Sequence, residues 1–314
     1  MRAIQIATFG GPEVLAPADL PEPVAGPGEV LVQTAFADVI LLDARLRSGA
    51  GRDYFPIRPP YVPGGAVAGT VVAAEDPALI GRPVGGRTKN FAGYAEKAVI
   101  DTAMLAEIPP GLATRDAAAL LHDGVTAYAL MSKVSFRANE TVLITAAAGG
   151  LGILFVQLAK AAGARVIGAA RGDAKLEMVR KGGADLAVDY SEADWTDGVS
   201  RPDLVLDGAG GAYGQAAFSV VADGGRFVGY GTAAGSFTLP DPADAQRRGL
   251  HVMGIQDAQV TPEQSGQLTR QMFADAAAGR FAPVIDRVYP LEKASEAHTA
   301  LEQRTNVGKV LLKI

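Results

Sequence analysis

One stretch constrains this chain more than any other: residues 141–163, TVLITAAAGGLGILFVQLAKAAG. Val142, Leu143 and Ile144 form a short apolar run that suits a strand covered on both faces. Gly149, Gly150 and Gly152 follow at once, and Ile153, Val156, Gln157 and Lys160 then carry a helix that Gly163 stops. The glycines fit the spacing A-x-G-x-x-G, with Ala147 in the first glycine position. Glycine at such a turn lets the backbone come close to a pyrophosphate. The helix N-terminus behind it offers unpaired N–H groups and the positive end of the helix dipole. A glycine-rich turn alone is a weak signal; its place between a strand and a helix gives it weight.

A second strand follows at residues 164–170. In a dinucleotide-binding βαβ unit the end of this strand meets the adenine ribose, where an Asp or Glu would select NAD. This chain has Arg171 there, with Lys175 four residues on and Tyr190 after the next strand, 186–189. Two cations at that spot favour a 2′-phosphate, because Arg binds it bidentately and Lys as a point charge. The expected coenzyme is therefore NADPH rather than NADH. The competing reading is a solvated helix start with two stray basic residues.

Composition narrows the class. A length of 314 residues suggests two domains. With 48% hydrophobic and 20% charged residues, the chain reads as globular with an ample core. Its net charge of −5 and lack of a basic block argue against nucleic acid. Cysteine is absent, which excludes disulfides, thiolate zinc sites and cysteine nucleophiles together. No apolar run reaches membrane length and MRAIQIATFG lacks a signal-peptide pattern, so a cytoplasmic protein with no membrane partner is expected.

Residues 1–115 read as mostly β, with strands at 1–8, 29–35, 66–74 and 93–100, a helix at 39–47 and a rigid loop at 59–65. From residue 115 strands and helices alternate. Six strands, at 142–144, 164–170, 186–189, 204–207, 225–230 and 250–255, make a doubly wound parallel sheet, and a long helix is expected at 261–278. The tail, 307–314, is a strand expected to return to the first lobe. The last sheet strand, 250–255, is apolar and lies at an edge, which invites pairing with its twin in a two-fold dimer.

Several segments together resemble one family. They are Asp43-Ala44-Arg45-Leu46-Arg47-Ser48-Gly49, Val62-Pro63-Gly64-Gly65, Gly124-Val125-Thr126-Ala127-Tyr128, Ala146-Ala147-Ala148-Gly149-Gly150-Leu151-Gly152, Asp203-Leu204-Val205-Leu206-Asp207, Gly224-Gly225-Arg226-Phe227-Val228 and Gly308-Lys309-Val310. Over nearly its whole length the chain resembles the medium-chain dehydrogenases/reductases, in their zinc-independent, zeta-crystallin-like quinone oxidoreductase branch. The resemblance implies an α/β fold: a Rossmann domain at 116–282, and a GroES-like β-barrel substrate domain built from 1–115 and 283–314.

What is missing points to the chemistry. Zinc alcohol dehydrogenases of this superfamily carry a cysteine ligand, a Gly-His-Glu after the proline–glycine loop and a four-cysteine structural lobe. Here the loop continues Gly64-Gly65-Ala66-Val67-Ala68-Gly69, and the histidines, His122, His251 and His298, are far apart, so no metal is expected. Without a Lewis acid, an alkoxide developing on a ketone has little to stabilise it. Hydride added to a quinone or an enone instead leaves delocalised charge. The expected activity is NADPH-dependent reduction of a quinone. The alternatives are an enoyl or 2-alkenal reductase, and an NADPH-sensing binding protein with little turnover.

By the resemblance, Ala148, Gly149, Gly150, Leu151 and Gly152 hold the pyrophosphate. Thr126 lies near the nicotinamide, or caps its own helix instead. Gly208 lets the adenosine approach, and Tyr230, Gly231, Gly254 and Ile255 present backbone to the carboxamide. Arg304 either reaches the 2′-phosphate or is a solvated charge. On the acceptor side, Tyr54 is aligned with the family's tyrosine near the nicotinamide, with Tyr61 on the same loop. Ile40-Leu41 stands where relatives have Asn-Pro or Asn-Phe, so a branched alkane replaces an amide and a more apolar pocket is expected. Asp43 and Arg47, spaced i, i+4, read as a structural ion pair, and His122 as a core histidine.

Overall fold

The computed structural model describes residues 1–50 and 55–314. The chain forms two compact units, Met1–Val125 with Val260–Ile314, and Thr126–Gln259.

The first unit opens with β1 (Arg2–Ile6) paired antiparallel to β2 (Leu15–Asp19). Then come β3 (Glu29–Val39), α1 (Leu41–Ser48), β4 (Ala66–Ala74), β5 (Pro83–Arg87), β6 (Lys97–Asp101), β7 (Ala106–Glu107), α2 (Thr114–Leu120) and α3 (Asp123–Val134). The division between the units falls within α3. β3 is the spine, pairing antiparallel with both β4 and β6. Its alternation shows why: Val30 and Val32 are buried in the core with Val67, Val71 and Ile100, while Gln33 faces out. The helix expected from residue 39 starts later. Val39, β-branched and 2% exposed, completes β3, and α1 begins only after Ile40, whose N–H donates to Asp43 Oδ2 at 3.0 Å.

The second unit is the expected Rossmann sheet. It contains β8 (Thr141–Thr145), α4 (Gly150–Ala161), β9 (Arg165–Ala170), α5 (Asp173–Lys181), β10 (Leu186–Asp189), β11 (Leu204–Asp207), α6 (Gly211–Ser219), β12 (Arg226–Gly229), α7 (Pro242–Arg247) and β13 (His251–Gly254). All six strands are parallel, in the order β10-β9-β8-β11-β12-β13. Strand order therefore reverses beside β8, and in such sheets ligands bind outside the carboxyl ends at this switch point. Val142, Leu143 and Ile144 are each 0% exposed, as a central strand covered on both faces requires.

The chain then returns to the first unit through α8 (Pro262–Ala277), β14 (Ile285–Pro290), α9 (Ala294–Glu302) and β15 (Lys309–Lys313). Thr261 and Gln264 cap α8 reciprocally, each bonding the other's backbone N–H. β15 pairs antiparallel with β3, with Val310 opposite Val39, so the tail does rejoin the first lobe. Among the described residues, no helix is long and apolar enough to cross a membrane.

Candidate active site

In the second unit, β8 ends at Thr145 and the chain turns at once. Ala146 takes a left-handed conformation, φ 51°, so the turn residue is Ala146 rather than Ala147. Ala147 N–H bonds Ala169 O of β9 at 3.0 Å, and Gly149 N–H bonds Ala146 O at 3.0 Å. Gly149 caps α4, and Ile153 N–H reaches Gly149 O at 2.9 Å. The N–H groups of Gly150, Leu151 and Gly152 precede that bond and open at the helix N-terminus. Gly152 is required by packing: a Cβ there would lie 2.4 Å from Ala146 O and 2.8 Å from Ala147 Cα. At Gly149 the nearest atom to such a Cβ is Ala146 O at 3.3 Å. Ala148 is buried beneath the turn. The cradle thus fits a pyrophosphate: close backbone, no side chain in the way, and donors at a helix start.

A buried network fixes the neighbouring strand end. Thr145 Oγ1 donates to Asp207 Oδ1 at 2.6 Å and accepts from Gly208 N and Ala209 N, both at 3.0 Å. Asp207 also accepts from Ala209 N, Gly210 N and, at 2.6 Å, Thr238 Oγ1. Gly208 makes room for an aromatic ring, since a Cβ there would lie 2.5 Å from Tyr230 Oη. Tyr230 follows β12, and its hydroxyl donates to Thr145 O at 3.2 Å. Gly231 packs on the Gly208 backbone. Gly254 ends β13 and donates its N–H to Asp257 at 2.8 Å, and Ile255 opens the next turn. Thr126 lies inside α3 and is half-buried, so it does not occupy a cap position.

At the end of β9, Arg171 is exposed and its Nη2 donates to Tyr213 Oη at 2.5 Å. The Tyr213 ring stacks on Tyr190, with centroids 4.6 Å apart and planes 28° from parallel. Lys175 lies half-buried in the first turn of α5. Asp189 accepts from Gly172 N at 2.8 Å and from Ser191 N and Oγ at 2.8 and 2.6 Å. Burial alone would raise its carboxyl, but these hydrogen bonds and the charge of Arg171 hold it below the ordinary carboxylate range. Tyr213, in the first turn of α6, was not legible as a site residue. Its one signal was an aromatic two residues after the last of the glycines that follow β11.

The acceptor-side candidates belong to the first unit. Tyr54 lies outside the described residues. Tyr61 pairs its backbone with Ile6, its buried hydroxyl has no hydrogen-bond partner among the described residues, and burial raises its pKa. Ile40 is half-buried at the start of α1. His122 packs on the proline–glycine loop, its Cε1 3.0 Å from where a Gly65 Cβ would stand, and burial keeps the ring neutral. Arg304 is exposed on the turn after α9, with φ 56°. The expected Asp43–Arg47 pair does not form. Asp43 accepts instead from Ile40 N and, at 3.2 Å, from Tyr94 Oη, while Arg47 bonds the Glu302 carboxylate and Gly10 O. Tyr94, Glu302 and Gly10 are distant in sequence, and with the Ile40 N–H they outcompete a neighbour one turn away. Lys309 Nζ lies 2.6 Å from Asp38 Oδ1 and 3.0 Å from Asp123 Oδ2, a buried cation between two carboxylates that spacing does not reveal.

Comparison with known proteins settles the family. Residues 182–312 match the family model described as zinc-binding dehydrogenase. A quinone oxidoreductase of Pseudomonas aeruginosa is 30% identical, over 99% of this chain and 99% of its own. The chain belongs to the quinone oxidoreductase family of medium-chain dehydrogenases/reductases. Two solved structures resemble this quinone oxidoreductase family member over 100% of each chain. One is the Escherichia coli quinone oxidoreductase complexed with NADPH, with a TM-score of 0.90 and 26% identity. The other is an NAD-dependent alcohol dehydrogenase, with a TM-score of 0.89 and 31% identity.

Cysteine is missing from the sequence, and no group of three His, Asp or Glu among the described residues could hold a metal. His298 bonds Tyr94, His122 lies against Gly65, and His251 is exposed on β13 of the other unit.

Proposed function

We propose that this chain is an NADPH-dependent oxidoreductase that reduces a quinone without zinc. The observation that carries the reading is the Ala146–Gly152 turn at the carboxyl end of β8, with Arg171 at the carboxyl end of the adjacent strand. The N–H groups of Gly150, Leu151 and Gly152, with Ala148 and Gly149 shaping the turn, hold the pyrophosphate. Arg171, Lys175 and Tyr190 take the adenosine 2′-phosphate. Gly208 and Tyr230 form the floor, and Thr126, Gly231, Gly254 and Ile255 orient the nicotinamide end. The bound coenzyme supplies a hydride to the acceptor.

The first unit takes the acceptor, with Ile40, Tyr61 and Tyr54 as its pocket residues. An Ile in place of the family's Asn makes that pocket apolar and favours a bulky, hydrophobic acceptor. Replacement Ile40→Asn that leaves acceptor preference unchanged counts against this. A quinone suits a site with no Lewis acid, because its reduced form spreads the new charge over two oxygens and a ring. The exposed edge strand β13, with Val252 38% exposed, is the surface for a two-fold homodimer, and the cytoplasm is the expected compartment.

The test follows the reduced-nicotinamide absorbance of NADPH with purified protein and either a benzoquinone or a 2-alkenal. Faster loss with the quinone supports the reading. Faster loss with the alkenal makes the chain an enoyl-type reductase. Tight NADPH binding with turnover on neither makes it a nucleotide sensor.

A further inference from the structure

Three side chains from three successive strand ends meet in the second unit. Arg171 follows β9, Tyr190 follows β10, and Tyr213 lies in the first turn of α6 after β11. The Arg171 guanidinium donates to Tyr213 Oη at 2.5 Å and stands 5.8 Å from the centre of the Tyr213 ring. Tyr213 is itself braced by its stack on Tyr190, and Tyr190 meets the edge of Trp195 at 6.4 Å. An exposed Arg at a strand end ordinarily samples many rotamers, and ordering it costs part of the affinity of any anion it binds. Here an aromatic column orders it in advance.

We propose that Tyr213 determines coenzyme selectivity by holding the Arg171 guanidinium in place for the adenosine 2′-phosphate. The inference rests on the NADPH reading above. Tyr213 is a positioning residue: it acts through Arg171. Its hydroxyl occupies one N–H of a guanidinium that has five, which leaves the fork's geometry intact for a phosphate. The Asp189 carboxylate does not compete. Asp189 commits its oxygens to Gly172 and Ser191, so it acts on Arg171 through its field alone.

The test is calorimetric titration of the full chain with NADPH and with NADH. Tyr213→Phe keeps the ring stack and deletes only the hydroxyl. It should weaken NADPH about fivefold, the effect of one lost hydrogen bond, and leave NADH unchanged. Arg171→Ala should weaken NADPH by about tenfold to a hundredfold. In the Arg171→Ala background, Tyr213→Phe should then have no further effect on NADPH. Thermal melting equal to the unsubstituted protein shows that each variant folds. If the unsubstituted chain prefers NADPH and Tyr213→Phe keeps the same preference, or weakens both coenzymes alike, the role of Tyr213 is overturned and the NADPH reading stands. If the unsubstituted chain binds both coenzymes equally, the NADPH reading falls and this inference with it.

Discussion

Thr145 donates its hydroxyl to Asp207 at 2.6 Å, and both side chains are 0% exposed. The bond joins the carboxyl ends of two neighbouring parallel strands, at the point where strand order reverses. It also fixes the turn that carries Gly208, because Thr145 Oγ1 accepts from Gly208 N and Ala209 N. Thr145→Val preserves shape but leaves a buried carboxylate short of a donor and the Gly208 N–H short of an acceptor, while Ala209 N–H keeps its bond to Asp207. Urea unfolding should show a loss of about 2–3 kcal/mol at unchanged slope. NADPH affinity should fall as well, since the turn proposed to lie beneath the coenzyme loosens. An unchanged midpoint would mean that water replaces the hydroxyl at no cost.

Lys309 carries two carboxylates in the first unit. Burial opposes its charge, yet the fields of Asp123 and Asp38 outweigh burial and raise its pKa. For Asp38 burial wins over the pull of Lys309, and its carboxyl is pushed up. Lys309→Met should cost about 3–5 kcal/mol, because it leaves buried Asp38 and half-buried Asp123 without their cation. The double replacement Asp38→Asn with Lys309→Met should be more stable than Lys309→Met alone. Equal stability of the single and double variants would show that Asp38 is not held by this lysine.

Acid should destabilise the chain through His298. Its Nε2 lies 3.1 Å from Tyr94 Oη, whose single proton is directed to Asp43 at 3.2 Å. The network therefore assigns the imidazole proton to Nε2 and leaves buried Nδ1 bare, with no partner among the described residues. Burial, aided by the charge of Arg47, lowers the pKa of His298 from 6.5 to about 3. A histidine depressed in the fold contributes stability above its unfolded pKa and loses it as pH falls toward the folded value. The loss is about 1.4 kcal/mol per pH unit below about pH 6.5. Asp43, raised to about 6 by burial, acts with the opposite sign, gaining stability as pH falls through that value. The comparison with His298→Gln isolates the histidine. From about pH 7.5 to about pH 5 the unsubstituted chain should lose about 2 kcal/mol more than the variant. Parallel curves would place the charged form of His298 in the fold.

The Rossmann sheet was legible because each strand is a short apolar run closed by turn residues, a pattern local in sequence. Val39 shows where local pattern fails. Its neighbours read as a helix, yet pairing with Val310 at the far end of the chain draws it into β3. Asp43 and Arg47 show the same for side chains: helical spacing suggests a pair, but Tyr94 and Glu302 offer better-placed partners. In the candidate site, Arg171 and the glycine cradle sit beside recognisable strand ends. Tyr213 reaches Arg171 from 42 residues away, and Lys309 reaches Asp38 only through the β3–β15 pairing. Such contacts are set by strand order, which no local pattern encodes.

The two glycines of the cradle should respond differently to a methyl group. At Gly152 a Cβ would meet backbone on both sides, Ala146 O at 2.4 Å and Ala147 Cα at 2.8 Å. Backbone atoms cannot rotate away, so Gly152→Ala must push α4 off β8 and displace the N–H groups proposed to hold the pyrophosphate. NADPH binding should weaken by about tenfold or more, with the loss shared by NADH because both carry the pyrophosphate. At Gly149 the added carbon meets only Ala146 O, at 3.3 Å, and φ is −77°, which any residue adopts. Gly149→Ala should therefore fold normally, and its smaller effect on binding should come from the methyl group's nearness to the ligand. Titration of both variants with NADPH and NADH checks the order. A larger loss at Gly149 than at Gly152 would mean that ligand contact, rather than helix–strand packing, dictates the glycine pattern.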